Sequence, residues 1–310
     1  MKKMKAAIIK EYEAQLEIAD IPQPELLADS VLIEVHAASV NPVDGLVQAG
    51  YLKEMMPITF PFTMGFDVSG VIVEVGEQVS GFKKGDEVFS RPNGMQAGTI
   101  AEYAVIKAEE LALKPSNISH QEAASIPLVG LTAWQAIVTK GNLQKGQKIL
   151  IHAGSGGVGT LAIQMAKHLG ADVATTTSAK NFELVKSLGA DIVIDYKTQK
   201  FEEELSDYDL VFDMMGGETL EKSFKVLKKG GCLVSIKGQD TQGLAEQYGV
   251  RFEAFFMWPS GEMLSQLAQL MGDGVLKPVI DRTYSIDQTQ EAYDYIQTGR
   301  AKGKVVIRVK

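Results

Sequence analysis

The chain has 310 residues, 45% of them hydrophobic and 23% charged, with a formal net charge of −8. That balance, with no block of Lys or Arg, argues against nucleic acid as a partner. No apolar run reaches the about 20 residues that a bilayer span needs. Cys232 is the one cysteine, which excludes an intramolecular disulfide framework and fits a reducing cytoplasm. The basic start Lys2-Lys3-Met4-Lys5 is followed by too few apolar residues for a signal peptide, so none is expected. The length predicts two domains, each with its own core.

In chain order, the first third reads as short β-strands. Residues 31–35 and 68–76 are Val/Ile-rich runs, and clusters such as Gly81-Phe82-Lys83-Lys84-Gly85-Asp86 separate them. Many short strands with glycine between them predict a barrel-like β-domain. Residues 119–139 have helical character, interrupted at Pro127. From Lys148 onward, apolar strand runs alternate with helical patterns. Strands are expected at 149–152, 173–177, 192–194, 210–212 and 232–236, with helices at 159–169 and 181–188 ended by Gly170 and Gly189. Continuous β-branched runs alternating with helices predict a parallel sheet covered on both faces. A helix at 262–271, an extended stretch at 277–280, a further helix and a strand at 304–309 follow. The last strand has the texture of the first domain and is expected to return to it. The boundaries are placed at 1–125, 126–258 and 259–310.

The strand at 149–152 runs into Ala153-Gly154-Ser155-Gly156-Gly157-Val158-Gly159, and a helix follows at once. Glycines 154, 156 and 159 give the spacing G-x-G-x-x-G in strand–turn–helix context, which raises a weak motif to a specific one. Glycine lets the backbone approach a pyrophosphate, and the helix start offers unpaired N–H groups and a positive dipole end. Gly154, Gly156, Gly157, Val158 and Gly159 are therefore the predicted dinucleotide cradle. The choice of dinucleotide is made at the end of the next strand, where an acidic residue would take the ribose hydroxyl of NAD. Here stand Thr175-Thr176-Thr177-Ser178-Ala179-Lys180-Asn181, and Asp172 lies before the strand. Hydroxyls at Thr177 and Ser178 with the Lys180 charge favour the 2′-phosphate of NADP(H). Ser178 also reads as a helix cap, and the two roles are compatible.

Asn41-Pro42-Val43-Asp44, Gly65-Phe66-Asp67, Gly85-Asp86-Glu87-Val88, Gly130-Leu131-Thr132-Ala133, the glycine loop and the ending Gly299-Arg300-Ala301-Lys302-Gly303-Lys304-Val305-Val306 extend over nearly the whole chain. Together they resemble the medium-chain dehydrogenase/reductase family, and within it the zinc-lacking quinone oxidoreductase and 2-alkenal (enone) reductase branch. The resemblance implies an α/β fold: a Rossmann doubly wound parallel sheet with a GroES-like β-barrel domain formed by both chain ends. It also implies homodimers, which relatives often form through an exposed edge strand. Zinc-dependent members hold the metal with Cys, His and Cys beside an acidic residue. The matching positions here are Asn41, Phe66 and Leu128, with Asp67 as the acidic one. An amide, a phenyl ring and an isobutyl group are not zinc ligands. The four histidines, His36, His120, His152 and His168, show no ligand spacing, so no metal is expected.

Without a Lewis acid, alcohol oxidation lacks the group that lowers the alcohol pKa. Hydride delivery to a quinone or to the β-carbon of an α,β-unsaturated carbonyl places charge on a distant oxygen that modest hydrogen bonding can hold. The expected activity is NADPH-dependent reduction of such acceptors in the cytoplasm. An enoyl-thioester reductase, or a non-catalytic NADPH-binding sensor or structural protein on the same fold, are the alternatives. By resemblance, Asn41 and Thr132 lie near the nicotinamide, Tyr196 flanks the 2′-phosphate, and Lys304 falls in a segment that approaches the cofactor. Tyr51 is a candidate to reach a substrate carbonyl, and packing is the competing reading. Asp44 reads as a helix cap, His152 as a satisfied strand-end residue, and Cys232 as an inert buried thiol. Phe255-Phe256-Met257-Trp258 is a candidate pocket wall. Several plant-type enone reductases carry a lysine where Leu46 stands, a departure that weakens the transfer of their substrate preference.

Overall fold

The strands of the chain are Lys3–Ile9 (β1), Glu17–Pro22 (β2), Ser30–Val40 (β3), Phe62–Thr63 (β4), Asp67–Val75 (β5), Glu87–Ser90 (β6), Tyr103–Lys107 (β7) and Leu111–Leu113 (β8), then Lys148–Ile151 (β9), Asp172–Thr177 (β10), Ile192–Asp195 (β11), Tyr208–Asp213 (β12), Leu227–Ser235 (β13) and Arg251–Ala254 (β14), and finally Ile280–Ser285 (β15) and Lys304–Arg308 (β16). They come from a computed structural model, which describes residues 2–93 and 98–310. The chain divides into two units, Met1–Leu131 with Trp258–Lys310, and Thr132–Met257.

In the first unit β3 is the hub. It pairs antiparallel with β5, β7 and β16, and β15, β6 and β8 extend the sheet outward. Val31, Ile33 and Val35 point into one core with Val68, Ile72 and Val88, while Ala38 and Val40 join another with Phe62, Phe66 and Tyr293. Along this strand Leu32 is buried as well as Val31, Ile33 and Val35, and Glu34 is the one partly exposed position of the run 31–35. The C-terminal strand does return here: Val305 pairs with Val40, and Ile307 with Ala38.

In the second unit the sheet order is β11-β10-β9-β12-β13-β14, and every pairing is parallel. The chain winds outward from β9 through β10 to β11, then crosses back to β12 and winds the other way. The carboxyl ends of β9 and β12 therefore flank the point where the order reverses, the place where open α/β sheets take ligands. The helices Gly157–His168 and Phe182–Ser187 end at Gly170 (φ +81°) and Gly189 (φ +109°), left-handed positions that favour glycine.

Some boundaries differ from the sequence reading. The extended stretch placed at 277–280 is a strand only from Ile280 on: Pro278 has no N–H to offer a ladder, while the Val279 carbonyl already accepts the Lys304 N–H of the partner strand at 2.8 Å. The helical stretch after Ser119 is three pieces, His120–Ala124, Pro127–Trp134 and a π-helical turn, Gln135–Lys140. Among the described residues no helix is long and apolar enough to cross a membrane.

Candidate active site

Two groups of predicted residues lie in the two units and are described in turn. In the second unit, the buried apolar strand β9 delivers the glycine loop, and the three motif glycines have different reasons to be glycine. A Cβ on Gly154 would stand 2.0 Å from Thr175 Oγ1, and one on Gly159 would stand 2.4 Å from the Ala153 carbonyl. Both are packing positions, where strand, loop and helix touch. A Cβ on Gly156 would meet the Ala153 carbonyl at 3.4 Å and nothing else nearby, so this glycine faces open space. Gly156 also precedes the helix Gly157–His168, whose first bonded amide in that turn is Thr160 N–H on Gly156 O. The N–H groups of Gly157, Val158 and Gly159 have no helical carbonyl within reach. An open glycine beside unpaired amides at a helix start fits a dinucleotide pyrophosphate.

The rim of this cradle is polar. Thr177 Oγ donates to Ser155 Oγ at 2.8 Å, and Asn181 Nδ2 donates to the same oxygen at 2.9 Å. Thr177, Ser178 and Asn181 are buried, and Lys180 is exposed. Ser178 takes the N-cap position of the turn Ala179–Asn181, but its hydroxyl makes no capping bond. The Tyr196 amide bonds the Thr177 carbonyl at 3.3 Å, which places Tyr196 next to Thr177 with the residue 60% exposed. Parallel pairing also sets Asp195 beside Thr177, a carboxylate that the count along the strand at 172–177 did not reveal. Its Oδ1 accepts from the Lys197 amide at 3.1 Å, so it serves the local turn. Ser155 and Asn181 are further members of the rim that spacing alone did not single out. Thr132 is buried in the helix Pro127–Trp134.

His152, at the end of β9, is fully enclosed. Its Nδ1 lies 3.1 Å from Thr176 Oγ1 and its Nε2 2.9 Å from Ser223 Oγ. Ser223 donates its hydroxyl hydrogen to the Thr219 carbonyl, so it accepts from Nε2–H, and the ring is the neutral Nε2–H tautomer. Burial pushes its pKa down to about 4. Cys232 is buried, and burial pushes its thiol up, away from a reactive thiolate.

In the first unit, Asp67, Asn41 and Lys304 form a buried network. Asp67 Oδ2 accepts from Ser39 Oγ at 2.7 Å, Asn41 Nδ2 at 2.8 Å and Lys304 Nζ at 3.2 Å. Its Oδ1 accepts from the Leu128 amide at 2.7 Å, in the first turn of the helix Pro127–Trp134, where a negative charge is favoured. Lys304 Nζ also donates to the Val40 carbonyl at 3.1 Å and to Asn41 Oδ1. Asp44 Oδ2 accepts from the Asn41 amide at 2.7 Å, the capping role expected of it, and burial pushes its carboxyl up to about 7. Arg91, 3% exposed, lies over the Phe66 ring at 5.4 Å. Tyr51 stands outside this network, 79% exposed.

Residues 27–116 match the family described as Alcohol dehydrogenase GroES-like domain, and residues 188–307 match Zinc-binding dehydrogenase. The chain is 40% identical to a 2-methylene-furan-3-one reductase of Solanum lycopersicum, over 93% of this chain and 74% of that protein. It is 38% identical to the chloroplastic NADPH-dependent alkenal/one oxidoreductase of Arabidopsis thaliana, over 99% of this chain and 80% of that one. The chain belongs to the medium-chain dehydrogenase/reductase family. The quinone oxidoreductase of Coxiella burnetii superposes with a TM-score of 0.93 at 33% identity, covering 100% of both chains. The α/β architecture of this family, a Rossmann sheet with a GroES-like barrel unit built from both chain ends, is the one observed.

The family description implies zinc, and the residues present do not fit it. Asn41, Phe66 and Leu128 offer an amide, a phenyl ring and an isobutyl group, and the Lys304 ammonium lies against the carboxylate beside them. Far apart in sequence, His36 and His120 do meet in space, with ring centroids 4.3 Å apart, because the helix His120–Ala124 packs on β3. Among the described residues no group of three or more His, Cys, Asp or Glu side chains is arranged to hold a metal ion.

Proposed function

We propose that this member of the family is a zinc-independent, NADPH-dependent oxidoreductase that reduces quinones or α,β-unsaturated carbonyls. The observation that carries the reading is the open face of Gly156 beside the hydroxyl-lined rim of Ser155, Thr177 and Ser178. The amides of Gly157, Val158 and Gly159 would hold the pyrophosphate, with Gly154 shaping the turn. Thr177, Ser178 and Lys180 would take the 2′-phosphate, and Tyr196 would cover the adenosine. Asn41 and Thr132 would orient the nicotinamide, and the Tyr51 hydroxyl would reach the oxygen of the acceptor. When bound, the reduced nicotinamide supplies the hydride. What the chain itself contributes is placement and a hydrogen bond to the oxygen on which charge develops. The names of the tomato, Arabidopsis and Coxiella relatives support the acceptor class. We place the protein in the cytoplasm on its single cysteine, and as a homodimer through an exposed edge strand of the parallel sheet by analogy with relatives.

The test is steady-state oxidation of NADPH with a panel of quinones, alkenals, enones and enoyl thioesters. Turnover of quinones or enones supports the proposal, and turnover confined to thioesters selects the enoyl-thioester reading. Tight NADPH binding with no acceptor reduced would make the chain a binding protein and sink the enzymatic reading.

A further inference from the structure

An ammonium group has three N–H donors, and in Lys304 all three are spent inside the protein: on the Val40 carbonyl, on Asn41 Oδ1 and on Asp67 Oδ2. The side chain is 5% exposed and that of Asp67 is 0% exposed. Lys304 therefore has no donor left for a phosphate or a substrate unless this network is broken. Its place is set by the sheet: the antiparallel register that pairs Val305 with Val40 brings residue 304 opposite residue 41 at the end of β3. The positions matching the metal ligands of zinc-dependent members adjoin the same carboxylate. Asn41 donates to it, Leu128 donates to it through its amide, and Phe66 is its chain neighbour.

We propose that Lys304 is a built-in cation that neutralises Asp67 and acts as the positioning residue for the Asn41 side-chain amide. The chemistry of the contacts supports this. Every acceptor around Nζ is an oxygen, one of them a carboxylate, a set suited to a hard, hydrogen-bonding cation. The cation demands Oδ1 of Asn41 and the carboxylate demands Nδ2, so the amide has one orientation, and one Nδ2–H remains outside the network. The inference rests on the oxidoreductase reading for what that N–H then does: it meets the nicotinamide or the acceptor in a fixed direction. Of the other buried charges nearby, Asp44 accepts from the Asn41 backbone N–H, and Arg91 donates to the Pro92 and Asn93 carbonyls; Arg91 attracts Asp67 through space without a hydrogen bond to it, so it does not orient the Asn41 side chain.

The test uses Lys304→Ala, which deletes three carbons and the nitrogen, with n-propylammonium as the probe that returns those atoms. In the variant, turnover is expected to fall about 10- to 100-fold, the cost typical of losing a group that orients a site residue. The NADPH dissociation constant is expected to stay within about twofold of wild type. Propylammonium chloride raises both the melting temperature and the turnover of Lys304→Ala; tetramethylammonium chloride at equal ionic strength, which has the charge but no N–H, raises neither. Lys304→Met with Asp67→Asn gives a second route if the alanine variant does not fold. That pair removes both charges, and it recovers the melting temperature but not the turnover. Indifference of Lys304→Ala to propylammonium in both readouts, or wild-type turnover in the paired variant, overturns the proposal. The thermal readout needs no turnover, so a wild type that reduces no acceptor defeats the enzymatic reading and leaves the seat of the cation to be judged by melting alone.

Discussion

Lys304 Nζ and Asp67 Oδ2 lie 3.2 Å apart, joined across 237 positions of chain and shielded from water on every side. Two charges taken out of water cost each other little only while both are present and fully hydrogen-bonded. Asp67 meets that condition through Ser39, Asn41, Leu128 and Lys304 together. Asp67→Ala strands the ammonium and is expected to cost about 3–5 kcal/mol of stability. Denaturant unfolding measures it, and a loss below about 1 kcal/mol would contradict the account of a buried, interdependent pair.

The glycine loop makes a prediction that separates folding from binding. Gly159→Ala drives a methyl group to 2.4 Å from a backbone carbonyl and is expected to destabilise by about 1–3 kcal/mol. Gly156→Ala has room and should fold with a near-native melting temperature. It is expected to weaken NADPH binding by about tenfold, or about 1.4 kcal/mol, by filling the face where the pyrophosphate lies. Equal affinities for Gly156→Ala and wild type would remove the loop from the cofactor site.

For the choice of cofactor, wild type is expected to bind NADPH more tightly than NADH. Lys180 is exposed, so water screens its attraction for a phosphate. Lys180→Ala should reduce the preference by about fivefold, or about 1 kcal/mol, without abolishing it. Titration by fluorescence gives both constants for both proteins. A wild type without preference would turn attention to Asp195, the carboxylate next to Thr177.

Acid stability follows from groups with opposed signs. His152 and His120 are pushed down to about 4 from an ordinary 6.5, chiefly by burial. Between those values the unfolded chain binds protons that the folded chain refuses, so stability is whole above pH 6.5 and drains away as pH falls toward 4. For the fully buried His152 the loss reaches about 3 kcal/mol. Asp44, pushed up to about 7 from 3.8 by burial, does the reverse: the folded chain holds its proton more firmly, which stabilises as pH falls from 7. The melting temperature should decline from pH 7 to pH 4.5, less steeply in His152→Gln and more steeply in Asp44→Asn. Parallel profiles in all three proteins would rule this out.

If no zinc serves the site, chelation has nothing to remove. Elemental analysis of the purified protein is expected to find less than stoichiometric zinc, and EDTA to leave turnover and melting temperature unchanged. One zinc per chain, lost together with activity, would refute the assignment.

The fold was legible where local physics and long-range packing agree. The apolar runs at 149–151 and 210–212 are central strands, and Gly170 and Gly189 end helices because they adopt positive φ. The strand Arg251–Ala254 was not visible, because an edge strand of Arg, Phe, Glu and Ala has no apolar run to announce it. The strand–turn–helix of the glycine loop was legible because its residues are consecutive. The Lys304 network was legible only in part: the resemblance grouped Asn41, Asp67 and Leu128, but Ser39 and Lys304 join them through β-pairing, and nothing local in either points to the others. His36 and His120 were invisible as neighbours for the same reason.

The return of β16 to lie against β3 has a consequence for biogenesis. A ribosome completes the whole of Thr132–Met257 before it has made the strand that carries Lys304. During that interval the nascent amino-terminal portion holds an acidic side chain without its counter-charge and a sheet with an uncovered edge. All residues of Thr132–Met257 are made by then, while the other unit waits for its last residues to emerge. Loss of those few residues, by a premature stop or a trimming protease, would undo a locus some 240 positions upstream.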